Sequence, residues 1–334
     1  MYDGKILKAA RFDFPVILVG NLTAGGTGKS PHIEYLISLL QYTYKVATLS
    51  RGYGRRTHGL VIAEQNSTAL QIGDEPRQFK TKFPDTVVSV CEDRVLAVPK
   101  LLGDHSEIDV ILLDDAFQHR AIKAGLSILV TEYANLFTRD QIMPVGWLRE
   151  AKSNYHRADI IIVSKCPAAL SIAESEKIIN EIKPYRYQKV YFSTIQYGPL
   201  YSFNDSQKRL NIEVDTDILL VCGIAKFEEL KNYLSTKARK VFVRDYRDHY
   251  RYDRYDLEVI RETLTNLGDV KKIIVTTEKD AARLEEFRDW FLQNKIEIFV
   301  QPIVVSFLLD GGEKFNADIT QYIEVTKQKT GLQQ

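Results

Sequence analysis

V-G-N-L-T-A-G-G-T-G-K-S, residues 19–30, fixes the frame for the rest of the chain. It follows the apolar run Pro15-Val16-Ile17-Leu18-Val19, which reads as a buried strand. It precedes residues 32–41, where Ile33, Leu36, Ile37 and Leu40 recur at helical spacing. A glycine-rich turn between strand and helix lets backbone N–H groups wrap around phosphate oxygens, and the helix start adds a favourable dipole. In such a loop Lys29 reaches the β/γ-phosphates and the Ser30 hydroxyl ligates Mg²⁺. The strict form of the motif has a glycine where Thr23 stands. The stretch predicts a nucleoside triphosphate site.

Apolar, β-branched runs recur at 15–19, 45–49, 87–90, 109–113, 127–131 and 159–163, mostly separated by helical patterns or turn signals. That alternation indicates βαβ units: an α/β fold of the P-loop NTPase type, with a mainly parallel sheet sandwiched between helices. Ser171-Ile172-Ala173-Glu174 resembles a capping box and opens a helix that stops before Pro184. Residues 188–212 change character, with Val190-Tyr191-Phe192 and Tyr201-Ser202-Phe203 flanking a Gly-Pro turn as a short hairpin or linker. A second series of strands follows at 217–222, 240–243, 273–276 and 297–300, with helices around 226–237, 256–267 and 279–293. The expected organisation is a P-loop domain over 1–187, a linker over 188–212 and a smaller α/β domain over 213–334.

The 334 residues are 45% hydrophobic and 27% charged, ordinary for a folded protein of about two domains. With 45 Lys+Arg against 44 Asp+Glu, no overall field favours nucleic acid. Cys91, Cys166 and Cys222 sit far apart in or beside apolar runs, as core thiols in a reducing compartment do. No stretch approaches the ~20 apolar residues of a transmembrane helix. Residues 5–12, K-I-L-K-A-A-R-F, mix basic and apolar side chains and suit either a solvated helix end or contact with a membrane surface.

A second strong signal is Asp109-Val110-Ile111-Leu112-Leu113-Asp114-Asp115, an apolar strand ending in paired carboxylates. Beside a P-loop strand, such an acid meets the Mg²⁺ held near Ser30. Phe117-Gln118-His119 follows at the same sheet edge, where His119 serves either the site or the fold. In Gly73-Asp74-Glu75-Pro76, Pro76 biases Glu75 away from helix, so an extended loop is expected to present these acids. Arg51-Gly52-Tyr53-Gly54-Arg55-Arg56 offers guanidinium forks and an aromatic ring suited to phosphate or sugar. Arg94 is a further anion contact or a surface ion-pair member. Arg244-Asp245-Tyr246-Arg247-Asp248-His249-Tyr250-Arg251-Tyr252 contains an imidazole beside an acid, as a hydrated loop or an oriented base. Thr277 is placed to cap the helix that follows it.

In this order the motifs make the chain resemble the tetraacyldisaccharide 4′-kinase family of lipid A biosynthesis in Gram-negative bacteria. The resemblance covers GN-x3-GG-x-GK-[ST]-P at 20–31, S-RGYGR at 50–55, GDEP at 73–76 and DR at 93–94. It continues through DD-x-FQH at 114–119, P-x-G-x-LRE at 144–150, RADI at 157–160, DH at 248–249 and TEKDA-x-RL at 277–284. The family's own loop also lacks the first glycine, so Thr23 is no departure. The resemblance implies two α/β/α domains joined by a two-stranded linker, with the site in the cleft. It implies transfer of the γ-phosphate of ATP to the 4′-hydroxyl of a lipid disaccharide 1-phosphate, with Mg²⁺. ATP then falls on Thr23, Ala24, Gly25, Gly26, Thr27, Gly28, Lys29 and Ser30, and the metal on Ser30, Asp114 and Asp115. A catalytic dyad of acid and histidine falls on Asp74 and His249. Tyr53, Glu75, Arg94, Gln118 and His119 match positions lining the family's site. The implied location is the cytoplasmic side of the bacterial inner membrane, peripheral, or the soluble cytoplasm. Family members usually carry an upstream amphipathic or hydrophobic N-terminal segment that docks on the inner membrane, and Met1-Tyr2-Asp3-Gly4 falls about where that segment would end.

A regulatory or metallochaperone-type P-loop GTPase or ATPase is the competing class. A GTPase needs a guanine-specifying N-K-x-D, which Ser164-Lys165-Cys166-Pro167 and Thr277-Glu278-Lys279-Asp280 both fail to supply. A membrane-surface ATPase of the deviant Walker type needs a lysine where Ala24 stands.

Overall fold

The structure is a computed structural model and describes residues 9–331 apart from Ala225 and His249. Its larger sheet has nine strands in the spatial order Ile303–Phe307, Lys189–Tyr197, Ile160–Ser164, Leu126–Glu132, Val16–Gly20, Val110–Asp114, Val46–Ser50, Val87–Val90 and Val61–Ile62. All neighbours are parallel except the two edge pairs. The central strands are buried along their whole length, so both faces need a helical cover. Alternation divides them between two cores. Val16, Leu18, Ile111, Leu113, Ile161 and Val163 meet Ala97, Leu101 and Ile178. On the other face Ile17, Val19, Leu112, Ile128 and Ile162 meet Ile33, Leu36, Ile37 and Phe315.

Because these strands are parallel, the segments that follow them share one sheet edge. The P-loop leaves Gly20, Arg51 follows Ser50, and Arg94 lies just beyond Val90. Asp114 ends the strand next to the P-loop strand, with Val19 opposite it in register. Strand order reverses about Val16–Gly20, the position where ligands bind in open α/β sheets.

The second sheet has six strands in the order Arg209–Leu210, Leu200–Ser202, Ile298–Gln301, Lys272–Thr277, Asp217–Cys222 and Lys240–Asp245. The chain enters it after Tyr197 and leaves it at Pro302. Lys189–Tyr197 and Ile303–Phe307 are antiparallel partners, with Tyr197 opposite Ile303. Two paired strands thus join the units. Gly198 N donates to Pro302 O (3.0 Å) and Gln301 Nε2 to Gly198 O (2.6 Å), tying the two crossings together.

Four local expectations change. Residues 190–192 and 201–203 form no hairpin with one another: the first stretch pairs with Ile160–Ser164 and Tyr201 pairs with Arg209 and Val300. Residues 303–330, grouped by sequence with the 213–334 unit, return to the larger sheet. There the helix Gly311–Thr330 buries Phe315, Ile319 and Ile323, and Tyr322 OH donates to Val16 O (3.0 Å). The expected helix at 279–293 is two helices, Glu278–Leu284 and Arg288–Gln293, joined by a 3₁₀ turn. Finally, Asp74 and Glu75 open the helix Asp74–Lys82 and do not lie on an extended loop. Pro76 sits in its first turn, where the missing N–H would have no helical acceptor and the ring's fixed φ suits the helix.

Candidate active site

The P-loop is shaped by backbone rather than by crowding. Gly25 and Gly28 hold φ of 109° and 91°, in the left-handed region open to glycine, and a Cβ built on Gly25 meets nothing within 4 Å. The helix Lys29–Leu40 begins directly at Lys29, so its first amides, Lys29 and Ser30 face the same open space. The loop is braced from behind. Asn21 Nδ2 donates to Thr27 Oγ1 (2.9 Å), and Ser164 Oγ donates to Thr27 O (2.6 Å). His32 bonds Gly28 O (2.7 Å) and Ser193 Oγ (3.0 Å), and burial pulls it down to about 4, so it is a neutral strut.

The acid pair lies beside Lys29. Asp115, at φ 44°, is gripped by Arg149 (2.7 and 3.3 Å) and stands 3.7 Å from Lys29 Nζ. Burial raises its pKa, but Lys29 and Arg149 outweigh that and hold it below the usual range. Asp114 has no such cation at contact distance among the described residues. Burial, then the charges of Asp115 and Glu75, push it up to about 7, while Ser50 Oγ donates to it (3.3 Å). Lys29 itself is lowered by burial, against the pull of Asp115.

Arg94 opens the helix Arg94–Asp104, whose N-cap Asp93 accepts from Val95 N and Leu96 N. It is no surface ion-pair member: only 4% of it is exposed, and its Nε has no hydrogen-bond partner among the described residues. Burial lowers its pKa while Asp114 and Asp115 support its charge. His119 is pulled down by burial and by the charge of Arg94, and its buried Nε2 likewise lacks a partner among the described residues. Gln118 is tied by its amide to Asn21 O and Glu150 Oε1, both at 2.8 Å. Tyr53 is exposed, whereas Arg55 is bound to Glu92 (2.6 Å) and Gly59 O and so braces its own loop.

Across the cleft, the helix Asp74–Lys82 of the larger unit meets Glu278–Leu284 of the smaller. Arg283 Nε donates to Asp74 Oδ2 (2.8 Å) and Lys279 Nζ to Glu75 Oε1 (2.9 Å). Burial raises the pKa of Glu75, but Lys279 prevails and holds it low. Thr277 Oγ1 caps the second helix, accepting from Asp280 N (3.1 Å). Tyr53, Asp74, Tyr250, Arg251 and Arg283 line a pocket where the two units meet. His249 lies outside the described residues. Its neighbours Arg247 and Tyr250 pack on Gly223, whose carbonyl accepts from Arg283 (2.9 Å).

Sequence reasoning did not assign roles to Arg149, Glu150, Lys279 or Arg283, although the LRE and TEKDA-x-RL strings contain them. Those strings were the available signal, and they do not say which partner each residue meets.

Comparison with known proteins follows the same outline. The family model "LpxK: Tetraacyldisaccharide-1-P 4′-kinase" matches residues 1–324. A tetraacyldisaccharide 4′-kinase of Phocaeicola vulgatus is 42% identical over 328 residues, covering 97% of this chain and 90% of the relative. One from Flavobacterium psychrophilum is 43% identical over 329 residues, covering 97% and 91%. The crystal structure of LpxK from Aquifex aeolicus in complex with ATP superposes with a TM-score of 0.73 at 25% identity, covering 96% of this chain and 92% of that one.

Proposed function

The chain belongs to the tetraacyldisaccharide-1-P 4′-kinase family, and we propose that its cleft performs the family reaction with the residues described above. It is a kinase that transfers the γ-phosphate of ATP to the 4′-hydroxyl of tetraacyldisaccharide 1-phosphate, a lipid A precursor. In our assignment residues Thr23 to Ser30 cradle the triphosphate, and Lys29 contacts the β/γ-phosphates. The observation that carries this is the juxtaposition of Lys29, which opens the P-loop helix, with Asp115, just past the end of the neighbouring parallel strand, in the same unit whose Asp74 and Glu75 meet Arg283 and Lys279 across the cleft.

The donor set fits Mg²⁺. Ser30 and Asp114 offer hard oxygens, and burial with the charges of Asp115 and Glu75 disfavours the ionised form of Asp114, which a bound cation would offset. Asp115 completes the metal side while Lys29 and Arg149 fix its orientation. No cluster of three or more His, Cys, Asp or Glu forms a self-contained cage among the described residues, as suits a cation shared with phosphate oxygens and water. When bound, Mg²⁺ supplies charge neutralisation at the phosphates.

Asp74 accepts the proton of the sugar hydroxyl as its oxygen attacks phosphorus in line, with His249 as its dyad partner. Arg94, neutral His119, Gln118, Glu75 and Tyr53 line the acceptor and transition-state side. The unpartnered Arg94 Nε and His119 Nε2 support this, since each is a buried polar atom without a hydrogen-bond partner among the described residues. The test incubates purified protein with radiolabelled ATP and the disaccharide 1-phosphate and looks for a bisphosphorylated lipid. Asp74→Asn should retain ATP binding and lose roughly 10²–10⁴ in kcat; full activity in that variant removes Asp74 as the base.

We further assign the active-site edge to peripheral contact with a membrane surface. No helix among the described residues is long and apolar enough to cross a membrane. Yet Ile142, Met143, Val145 and Trp147 are all more than half exposed, on a turn whose Trp147 O accepts from Ala24 N of the P-loop (2.7 Å). Such an apolar tip suits the acyl region from which a lipid substrate must be drawn. The segment at 5–12 is described only from residue 9. Flotation with anionic vesicles should fall for Val145→Glu/Trp147→Glu, and unchanged flotation rejects this assignment.

A further inference from the structure

Asp74 is held by a cation from the other unit, and the way that cation is itself held is specific. Arg283 directs Nε to Asp74 Oδ2 at 2.8 Å and Nη1 to Gly223 O at 2.9 Å and Asp280 Oδ1 at 3.0 Å. Asp280 is fully buried and cannot shift. Its Oδ2 accepts from Gly223 N (3.0 Å) and Thr277 Oγ1 (2.7 Å), and its Oδ1 accepts from Tyr252 OH (3.1 Å) as well as from Arg283. Arg283 is therefore immobilised in the smaller unit and reaches out of it to a carboxylate of the larger.

We infer that Arg283 is a positioning residue for the phosphoryl-transfer step: anchored on Asp280, it aims the Asp74 carboxylate across the closed cleft. The inference rests on Asp74 being the base. A base must meet its proton at hydrogen-bond distance, and an aspartate at the first position of a helix has several rotamers in which it does not. The Nε contact selects one of them only while the two units are together, so the base is set when the cleft closes. Among the described residues, the charged groups around this carboxylate include Glu75 on its own helix, Lys279 one turn from Arg283, and Arg251, Glu285 and Glu286 in the same pocket.

The experiment compares Arg283→Lys, Arg283→Gln, Asp74→Asn and Asp74→Asn/Arg283→Gln, with melting temperature and ATP binding measured for each. Arg283→Gln should lower kcat up to about 10²-fold, as misplacement of a reacting group does, with KM for ATP within twofold. Arg283→Lys should recover part of that loss, because it keeps the charge but not the fork. Removing the cation should move the acid limb of the kcat/KM–pH profile upward in Arg283→Gln and leave it near its place in Arg283→Lys. The double variant should be no slower than Asp74→Asn, since members of one unit are non-additive. Multiplying losses, or an unmoved acid limb, would show a purely structural role and overturn the inference. So would wild-type kcat in a folded Arg283→Lys, the decisive variant should Arg283→Gln fail to fold. If Asp74→Asn keeps its kcat, the assignment of the base fails first, and that result is distinct from an active Arg283→Gln beside a crippled Asp74→Asn.

Discussion

Replacing Glu34 by glutamine should make the protein more stable in mild alkali and leave it unchanged in mild acid. Glu34 lies on the P-loop helix, 4% exposed, and shares Lys82 with Glu278: Lys82 Nζ is 2.7 Å from the first carboxylate and 2.9 Å from the second. One cation serves two buried acids. Burial, and then the charge of Glu278, push Glu34 up to about 7 from 4.5. In the unfolded chain it ionises near its ordinary value, so between those limits the native state carries a proton that the unfolded state has lost. Stability from this group is full below the unfolded pKa and is lost as pH rises through the folded one. At about 1.4 kcal/mol per tenfold change in proton activity, the loss across the window is roughly 3 kcal/mol. Glutamine keeps the shape and does not titrate. Thermal melts should therefore coincide near pH 4 and separate by about 6 °C near pH 8, at ~2 °C per kcal/mol for a chain of this size. Gln78 Nε2 donates to Glu34 Oε1 (2.6 Å), a contact that glutamine at position 34 can keep through its amide oxygen. Parallel melting profiles for wild type and Glu34→Gln across this range would refute the reasoning.

Other expected outcomes follow from the same geometry. Lys29→Ala and Ser30→Ala should each lower kcat by on the order of 10²–10³, and near-normal rates in both would remove the P-loop from the reaction. ATP should be preferred over GTP, tested by initial rates at matched concentrations, because neither Ser164-Lys165-Cys166-Pro167 nor Thr277-Glu278-Lys279-Asp280 can specify guanine. Phe315→Ala should destabilise the larger unit by about 3–5 kcal/mol in chemical denaturation although it lies near the C-terminus, because its ring is 1% exposed in the core against the P-loop helix.

The parallel core was legible because its signal is local: Val16–Gly20, Val110–Asp114 and Ile160–Ser164 are unbroken apolar runs, as strands buried on both faces must be. The P-loop and the acid pair were legible for the same reason, each announced by a short string beside such a run. What stayed hidden depends on partners far away in sequence. Nothing in Ile303–Phe307 says that it pairs with Lys189–Tyr197 and not with Ile298–Gln301 just before it. The rule for the residue before proline predicts an extended Glu75, but the first helical turn tolerates Pro76 and the helix forms through it. Arg55, offered with its neighbours for phosphate or sugar, is a brace, and Arg94, open between an anion contact and a surface ion pair, is buried, because a sequence of arginines carries no record of burial. Lys279 and Arg283 are four apart on one helical face, yet their partners Asp74 and Glu75 lie some two hundred positions earlier.

The paired crossing between the units has a consequence for assembly. The larger sheet is interrupted after Tyr197 and resumes at Ile303, so its edge strand and the helix Gly311–Thr330 are made last, after the entire smaller sheet. On a ribosome, the unit carrying the P-loop emerges first but cannot complete its hydrophobic face until the end of the chain arrives. Closing a flexible loop of about a hundred residues costs chain entropy. A smaller unit that has already folded removes most of that cost, because it brings Gly198 and Pro302 to within a hydrogen bond of each other. The inserted unit therefore acts as a splint, and the order of synthesis makes the first-born half of the protein the last to finish folding.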